Sequence, residues 1–182
     1  NFLAVVKAIK EKKIKAKLRI LVCDQPMALV IKRAQTAGVQ VLLVKREDFS
    51  SRLDFETAII QRLRSYKIDL VVLAGFMRVL SPLFVKRYRN RIMNIHPSLL
   101  PAFKGATAIR DALDAGADFT GVTVHFVDEK VDHGPVILQR KVKIRSKDTA
   151  ASLEKRIHSL EHKLYPQAIK LFISGKLKPL FF

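Results

Sequence analysis

The sequence predicts an α/β fold: a mostly parallel central sheet with helices on both faces and an antiparallel strand pair near the C-terminus. Three observations carry this. Apolar runs of strand length alternate with amphipathic helical stretches along most of the chain. The run "DLVVLAGF" (69–76) is apolar after its first residue, as suits a strand at the centre of a sheet. "GVTVHFVDE" (121–129) and "PVILQRKVKI" (135–144) alternate as antiparallel neighbours do.

Taken in order, "FLAVVKAIKEKK" has apolar residues at helical spacing and "LRILVC" is a short strand. "PMALVIKRAQTAG" reads as a helix with Pro26 in its first turn and Gly38 as its stop. "VQVLLV" is a strand, "RLDFETAIIQRLRSYK" an amphipathic helix, and "DLVVLAGF" the apolar strand. "SPLFVKRYRN" opens a helix with Ser81 as N-cap and Pro82 at its first position. "RIMNIH" is a strand that Pro97 discourages from continuing. "TAIRDALDAG" is a short helix stopped by Gly116, and the two antiparallel strands follow. One long helix from "DTAASLEK" closes the chain, and Pro166 should kink or split it.

Length and composition bound the function. With 182 residues and 49% hydrophobic content, the chain is expected to form one domain, 1–182, with a sizeable core. No apolar stretch approaches the roughly 20 residues of a membrane-spanning helix, and no signal pattern opens the chain. The single cysteine, Cys23, excludes an internal disulfide and fits a reducing cytoplasm. The net charge of +18 suits either a nucleic-acid surface or a generally basic surface that attracts small anions. The cations are spread along the whole chain without a DNA- or RNA-binding motif, so no nucleic-acid partner is expected.

The chemistry concentrates at one rim. In an open α/β sheet, ligands gather beyond the carboxyl ends of the strands. "RIMNIH" delivers Asn94 and His96 there, and their two-residue spacing puts both on one strand face. Asp132 sits in the turn between the two antiparallel strands. An Asn amide can hold a developing oxyanion, a His can carry a proton near neutral pH, and a carboxylate can orient and charge that His. The set suits acyl or formyl transfer to an amine, although Asn, His and Asp at strand ends also serve as plain turn residues. "HSLEH" (158–162) matches a zinc-peptidase string, but few acidic candidates for a third ligand follow it, and no metal is expected. His125 reads as a satisfied sheet residue and His133 as a solvated turn residue.

The segments "AGFMRVLSP", "NIHPSLLPAFKGA" and "DHGPVI", in this order, resemble the phosphoribosylglycinamide formyltransferase family, and the likeness covers nearly the whole chain. The resemblance implies a Rossmann-like formyltransferase fold with Asn94, His96 and Asp132 as catalytic triad. It implies 10-formyltetrahydrofolate as co-substrate and glycinamide ribonucleotide as acceptor, in purine biosynthesis. On the folate side it points to Arg52 and Arg78 for the benzoyl-glutamate portion. Met77, Val79 and Leu80 would lie against the folate, with Asp128 and Glu129 in the turn whose backbone holds the pterin ring. On the nucleotide side it points to Asn1, Pro97, His158 and Glu161. The implied partners are small molecules alone, and the implied state is a cytoplasmic monomer or homodimer.

Departures accompany the resemblance. The family's first strand and Gly-Ser-Asn phosphate loop are expected upstream of Asn1, which matches the last residue of that loop. His133 stands where a small residue is usual. Two related activities share the triad: methionyl-tRNA formyltransferase, which carries a further C-terminal domain, and formyltetrahydrofolate deformylase, which has a His where this chain has Pro97. A basic binding module with a dead site is the non-enzymatic alternative.

Overall fold

The computed structural model describes residues 1–177. The elements run in chain order as α1 (Phe2–Lys10), β1 (Leu21–Cys23), α2 (Leu29–Thr36) and β2 (Val41–Leu43), then a 3₁₀ turn at Arg46–Asp48. They continue with α3 (Arg52–Ser65), β3 (Val71–Val72), α4 (Pro82–Arg87), β4 (Ile92–His96), α5 (Ala108–Asp114), β5 (Phe119–Phe126), β6 (Val136–Lys143) and α6 (Ala150–Ile173). Two hydrogen-bonded groups of strands form. β1 pairs with β2 in parallel, and β3-β4-β5-β6 forms a second group in that order. There β3–β4 is parallel, while β4–β5 and β5–β6 are antiparallel. The expected α/β architecture is present, and its antiparallel part extends one strand further back, to β4.

β4 separates two apolar cores because successive side chains point to opposite faces. Ile92 packs with Phe55, Ile59 and Leu63 of α3 and with Phe84, Val85 and Tyr88 of α4. Met93 packs with Val5 and Ala8 of α1, with Val122 and Val124 of β5, and with Leu153, Ile157 and Leu164 of α6. Helices therefore cover both faces. Asn94 and His96, spaced evenly from Ile92, continue the α3/α4 face beyond the point where apolar packing ends.

Several local expectations need correction. The helix expected to include Pro26 starts at Leu29, after an uncapped extended residue, Ala28, so Pro26 belongs to the preceding turn. The strand expected at a sheet centre, β3, has one hydrogen-bonded neighbour among the described residues and is only half-buried. Pro166 does not split the last helix, which runs unbroken for 24 residues. Packing on both sides of the proline outweighs its lost hydrogen bond: Leu164, Tyr165, Ala168 and Ile169 are all buried. The Tyr165 hydroxyl, with one proton to give, lies 2.7 Å from the Leu73 carbonyl and 2.8 Å from the Met93 carbonyl, fastening α6 to the ends of β3 and β4. By contrast, Ser81 caps α4 as expected, accepting from the Phe84 N–H at 3.3 Å with Pro82 next in line.

β5 is the most enclosed strand, buried from Thr120 to Phe126. Thr120 is fully buried, and its hydroxyl has no hydrogen-bond partner. An unpaired buried hydroxyl is a net cost, and valine keeps the β-branched shape that a strand favours. Thr120→Val is expected to stabilise the protein by about 1 kcal/mol, read as a higher midpoint in urea denaturation with an unchanged slope.

Candidate active site

The site is built where the loop after β4, the register of β5 and the β5–β6 turn meet. In the antiparallel ladder Asn94 stands opposite His125, and His96 opposite Thr123. Thr123 is buried and anchors the loop that follows His96: its hydroxyl donates to the Ser98 carbonyl at 2.7 Å and accepts from the Leu100 N–H at 3.2 Å. Gln139 of β6 adds bonds to the Leu100 carbonyl and the Thr123 hydroxyl. The loop also presses on the sheet at Gly121, where a Cβ would come within 2.4 Å of Leu99. Glycine is required there by space. So held, the loop returns Phe103 and Gly105 to the end of β4.

His96 is 4% exposed, and both ring nitrogens face oxygen. Nε2 lies 2.8 Å from the Phe103 carbonyl and Nδ1 lies 3.4 Å from Asp132 Oδ2. A carbonyl only accepts, so Nε2 carries a proton, and Nδ1 stands beside the Asp132 carboxylate. The two residues that supply these oxygens are non-glycine residues with positive φ, 52° at Phe103 and 46° at Asp132. Such backbone costs on the order of 1–3 kcal/mol per residue and persists where surrounding structure over-determines it. Around Asp132 the constraint is tight. Gly134 lies so close to the Phe126 carbonyl that a Cβ would sit 1.9 Å from it, and the Gly105 N–H donates to Asp132 Oδ2 at 2.9 Å.

His125 joins this group. It is 2% exposed, its Nδ1 donates to the Phe126 carbonyl at 2.8 Å, and its Nε2 lies 3.3 Å from Asn94 Nδ2. The same Nε2 is 3.7 Å from Asp132 Oδ1, which is charge range and not a direct bond. His125 beside it, the Gly105 N–H and His96 together hold the Asp132 carboxyl down at about 2, against the opposing effect of burial. Asp132 is therefore ionised throughout the neutral range. The sequence reading took His125 for a sheet residue. The only signal available was its place in an alternating strand, and its meaning needed the register against Asn94.

The other singled-out residues fall into three groups. Asn1 Nδ2 donates to Glu161 Oε2 at 2.8 Å, so two residues 160 positions apart meet. Burial pushes the Glu161 carboxyl up, partly offset by Asn1, His158 and His96. His158 itself is half exposed, 3.8 Å from Glu154, and Pro97 begins the anchored loop. Second, a cavity of about 530 Å³ opens between the end of α4 and the β5–β6 turn, lined by Val85, Val127 and Pro135 with Asp128, Glu129 and His133 at its polar side. His133, read as a solvated turn residue, is 2.7 Å from Asp128. Third, Met77, Arg78, Val79 and Leu80 lie outside that lining, on the segment that leads into α4. Arg78 pairs with Asp24 at 2.6 Å and Arg52 with Glu56 at 3.1 Å. Among the described residues no group of three or more His, Cys, Asp or Glu is arranged to hold a metal ion, and no helix is long and apolar enough to cross a membrane.

Known proteins are similar to this chain in sequence and fold. Residues 1–169 match the formyl transferase family. The phosphoribosylglycinamide formyltransferase of Bacillus subtilis (strain 168) is 44% identical over 170 residues, covering 93% of this chain and 87% of that protein. The enzyme of the same description from Escherichia coli (strain K12) is 40% identical over 178 residues, covering 98% and 84%. The crystal structure of glycinamide ribonucleotide transformylase 1 from Symbiobacterium toebii matches with a TM-score of 0.95 at 42% identity, covering 97% of this chain and 84% of that one.

The depressed Asp132 carboxyl has a consequence for stability. A carboxyl lowered by folding contributes stability above its unfolded value and loses it as pH falls through the folded value. Wild-type protein should therefore exceed Asp132→Asn in stability at about pH 6, and the gap should narrow as pH falls from about 4 towards about 2. Urea denaturation of both proteins across that range checks it.

Proposed function

The chain belongs to the formyl transferase family, and from that premise we propose that it moves the formyl group of 10-formyltetrahydrofolate to the amine of glycinamide ribonucleotide, a step of purine biosynthesis. The observation that carries this reading is the meeting of Asn94, a buried His96 with oxygens beside both ring nitrogens, and an ionised Asp132 near the end of one strand. That set matches what attack of an amine on a formyl carbon demands. Negative charge grows on the formyl oxygen as the tetrahedral intermediate forms, and the amine must lose a proton.

In the proposed mechanism Asn94 donates from its amide to the oxyanion while His96 supplies positive charge beside it. The His96–Asp132 contact, 3.4 Å, is loose for a charge-assisted bond and leaves His96 Nδ1 less tightly engaged than Nε2, which is 2.8 Å from the Phe103 carbonyl. Asp132 keeps His96 charged and, directly or through a water, helps the amine proton reach the leaving nitrogen. His125, whose Nε2 accepts from the Asn94 amide, fixes the direction of that amide. The cavity beside the β5–β6 turn combines apolar Val85, Val127 and Pro135 with polar and charged residues of the turn and of the end of α4, a lining that suits a flat heteroaromatic ring such as pterin. Arg52 and the 77–80 segment would take the rest of the folate, and Asn1, Pro97, His158 and Glu161 the nucleotide.

The test is formyl transfer with both substrates, following folate release optically and formylated nucleotide by mass. Product formed in step with folate release is the expected result. Asn94→Ala should lower kcat about 100- to 1000-fold, and Asp132→Asn should abolish both signals together. Folate release without formylated nucleotide would instead indicate hydrolysis of the donor, and silence in both channels would overturn the reading.

A further inference from the structure

Glu56 is a carboxylate with no part in the chemistry above, yet it is 3% exposed, on α3 against the start of α4. Burying a carboxylate is costly unless its oxygens are satisfied, and here they are fully used. Oε1 accepts from Arg52 Nε at 3.1 Å and from the Ser81 N–H at 3.0 Å. Oε2 accepts from the same N–H at 3.0 Å and from the Ser81 hydroxyl. Arg52 and Ser81 lie 29 positions apart (81 − 52), on separate elements. Ser81 is the N-cap of α4 and directly follows the 77–80 segment.

That segment needs an anchor. Met77 is 83% exposed and Val79 53%, and Arg78 is tied outwards to Asp24 at the end of β1. Where it enters α4, the Glu56 bonds to Ser81 hold it. The same carboxylate binds Arg52 through Nε, which leaves the two terminal nitrogens of the guanidinium for another acceptor. Arginine grips carboxylates best through such a paired edge.

We propose that Glu56 is a positioning residue for the formyl donor: one buried carboxylate sets both the aim of Arg52 and the place of the 77–80 segment. This rests on the folate reading given above for those two parts. A charge on the donor's acidic tail and a backbone against its ring would then be aligned by a single group.

Glu56→Gln is the sharpest test, because the amide keeps the shape but turns an N–H2 towards the Ser81 N–H or Arg52 Nε, which only donate. The expected result is a rise of about tenfold in KM for 10-formyltetrahydrofolate, with kcat and the KM for the nucleotide changed less than about twofold. Limited trypsin digestion gives a second reading that needs no activity. Cleavage after Arg78 should quicken several-fold in Glu56→Gln, whereas Arg52→Ala should raise the donor KM and leave that cleavage rate alone. Unchanged cleavage overturns the anchor, and quickened cleavage with an unchanged donor KM overturns the positioning role. A fall in kcat with both KM values unmoved also overturns it, as general damage. If the wild type transfers no formyl group, the function assigned above fails, and cleavage alone decides whether the anchor exists. Should Glu56→Gln fail to fold, Ser81→Ala removes one donor and carries the same test at smaller amplitude.

Discussion

The antiparallel pairing of β4 with β5 is the constraint on which the site depends. Side chains on a strand alternate between faces, so slipping this pair by one residue would turn Asn94 and His96 out of register with the groups they need. In the observed register His125 faces Asn94, and Thr123, opposite His96, holds the loop that brings the Phe103 carbonyl to the ring. β5 also leads directly into the turn that carries Asp132. One ladder thus fixes an amide, an imidazole, a carbonyl and a carboxylate at once. The burial of β5 on both faces is what makes that register expensive to change.

The site carries strain, and the strain falls on the residues that touch His96. Phe103 and Asp132 both adopt left-handed backbone, and Phe103 is bulky for that conformation. Each is held by a neighbour that leaves little choice. For Phe103 it is the loop clasped by Thr123 and Gln139, and for Asp132 it is the turn closed at Gly134 against Phe126. The result is a histidine whose nitrogens are both aimed at acceptors before any substrate arrives. Catalysis by preorganised charge requires that kind of advance placement.

How much of this was legible in the sequence depended on range. The alternation of elements, the Ser81–Pro82 helix start and the polar pair Asn94 and His96 at a strand end are local patterns with local causes, and each reads directly. The meeting of His96 and Asp132 at one rim was open from placement alone, beside a plain turn-residue reading, and motif likeness chose between the two. What stayed hidden was long-range or carried by backbone. No side-chain code announces that the Phe103 carbonyl and the Gly105 N–H complete the site. The role of His125 lies in a partner 31 positions away, and an alternating strand looks the same with or without one. The apolar character of "DLVVLAGF" reported burial on a sheet but not which neighbours the strand would have. Pro166 does not split the last helix for a related reason: its cost is local, and the packing that holds the helix together is not.

The Tyr165 hydroxyl has a bearing on how the two halves of such a site relate. It ties the last helix to the carbonyl of Met93, the residue immediately before Asn94, while Glu161 lies one turn earlier on that helix. The helix is therefore a ruler mounted on the sheet, with a fixed distance between Glu161 and the polar groups at the end of β4. A chain built in this way cannot open by swinging that helix without breaking a buried bond. The stretch from Pro97 to Gly105 is held independently of that helix, by Thr123 and Gln139 of the antiparallel strands, so the two sides of the site can be altered separately.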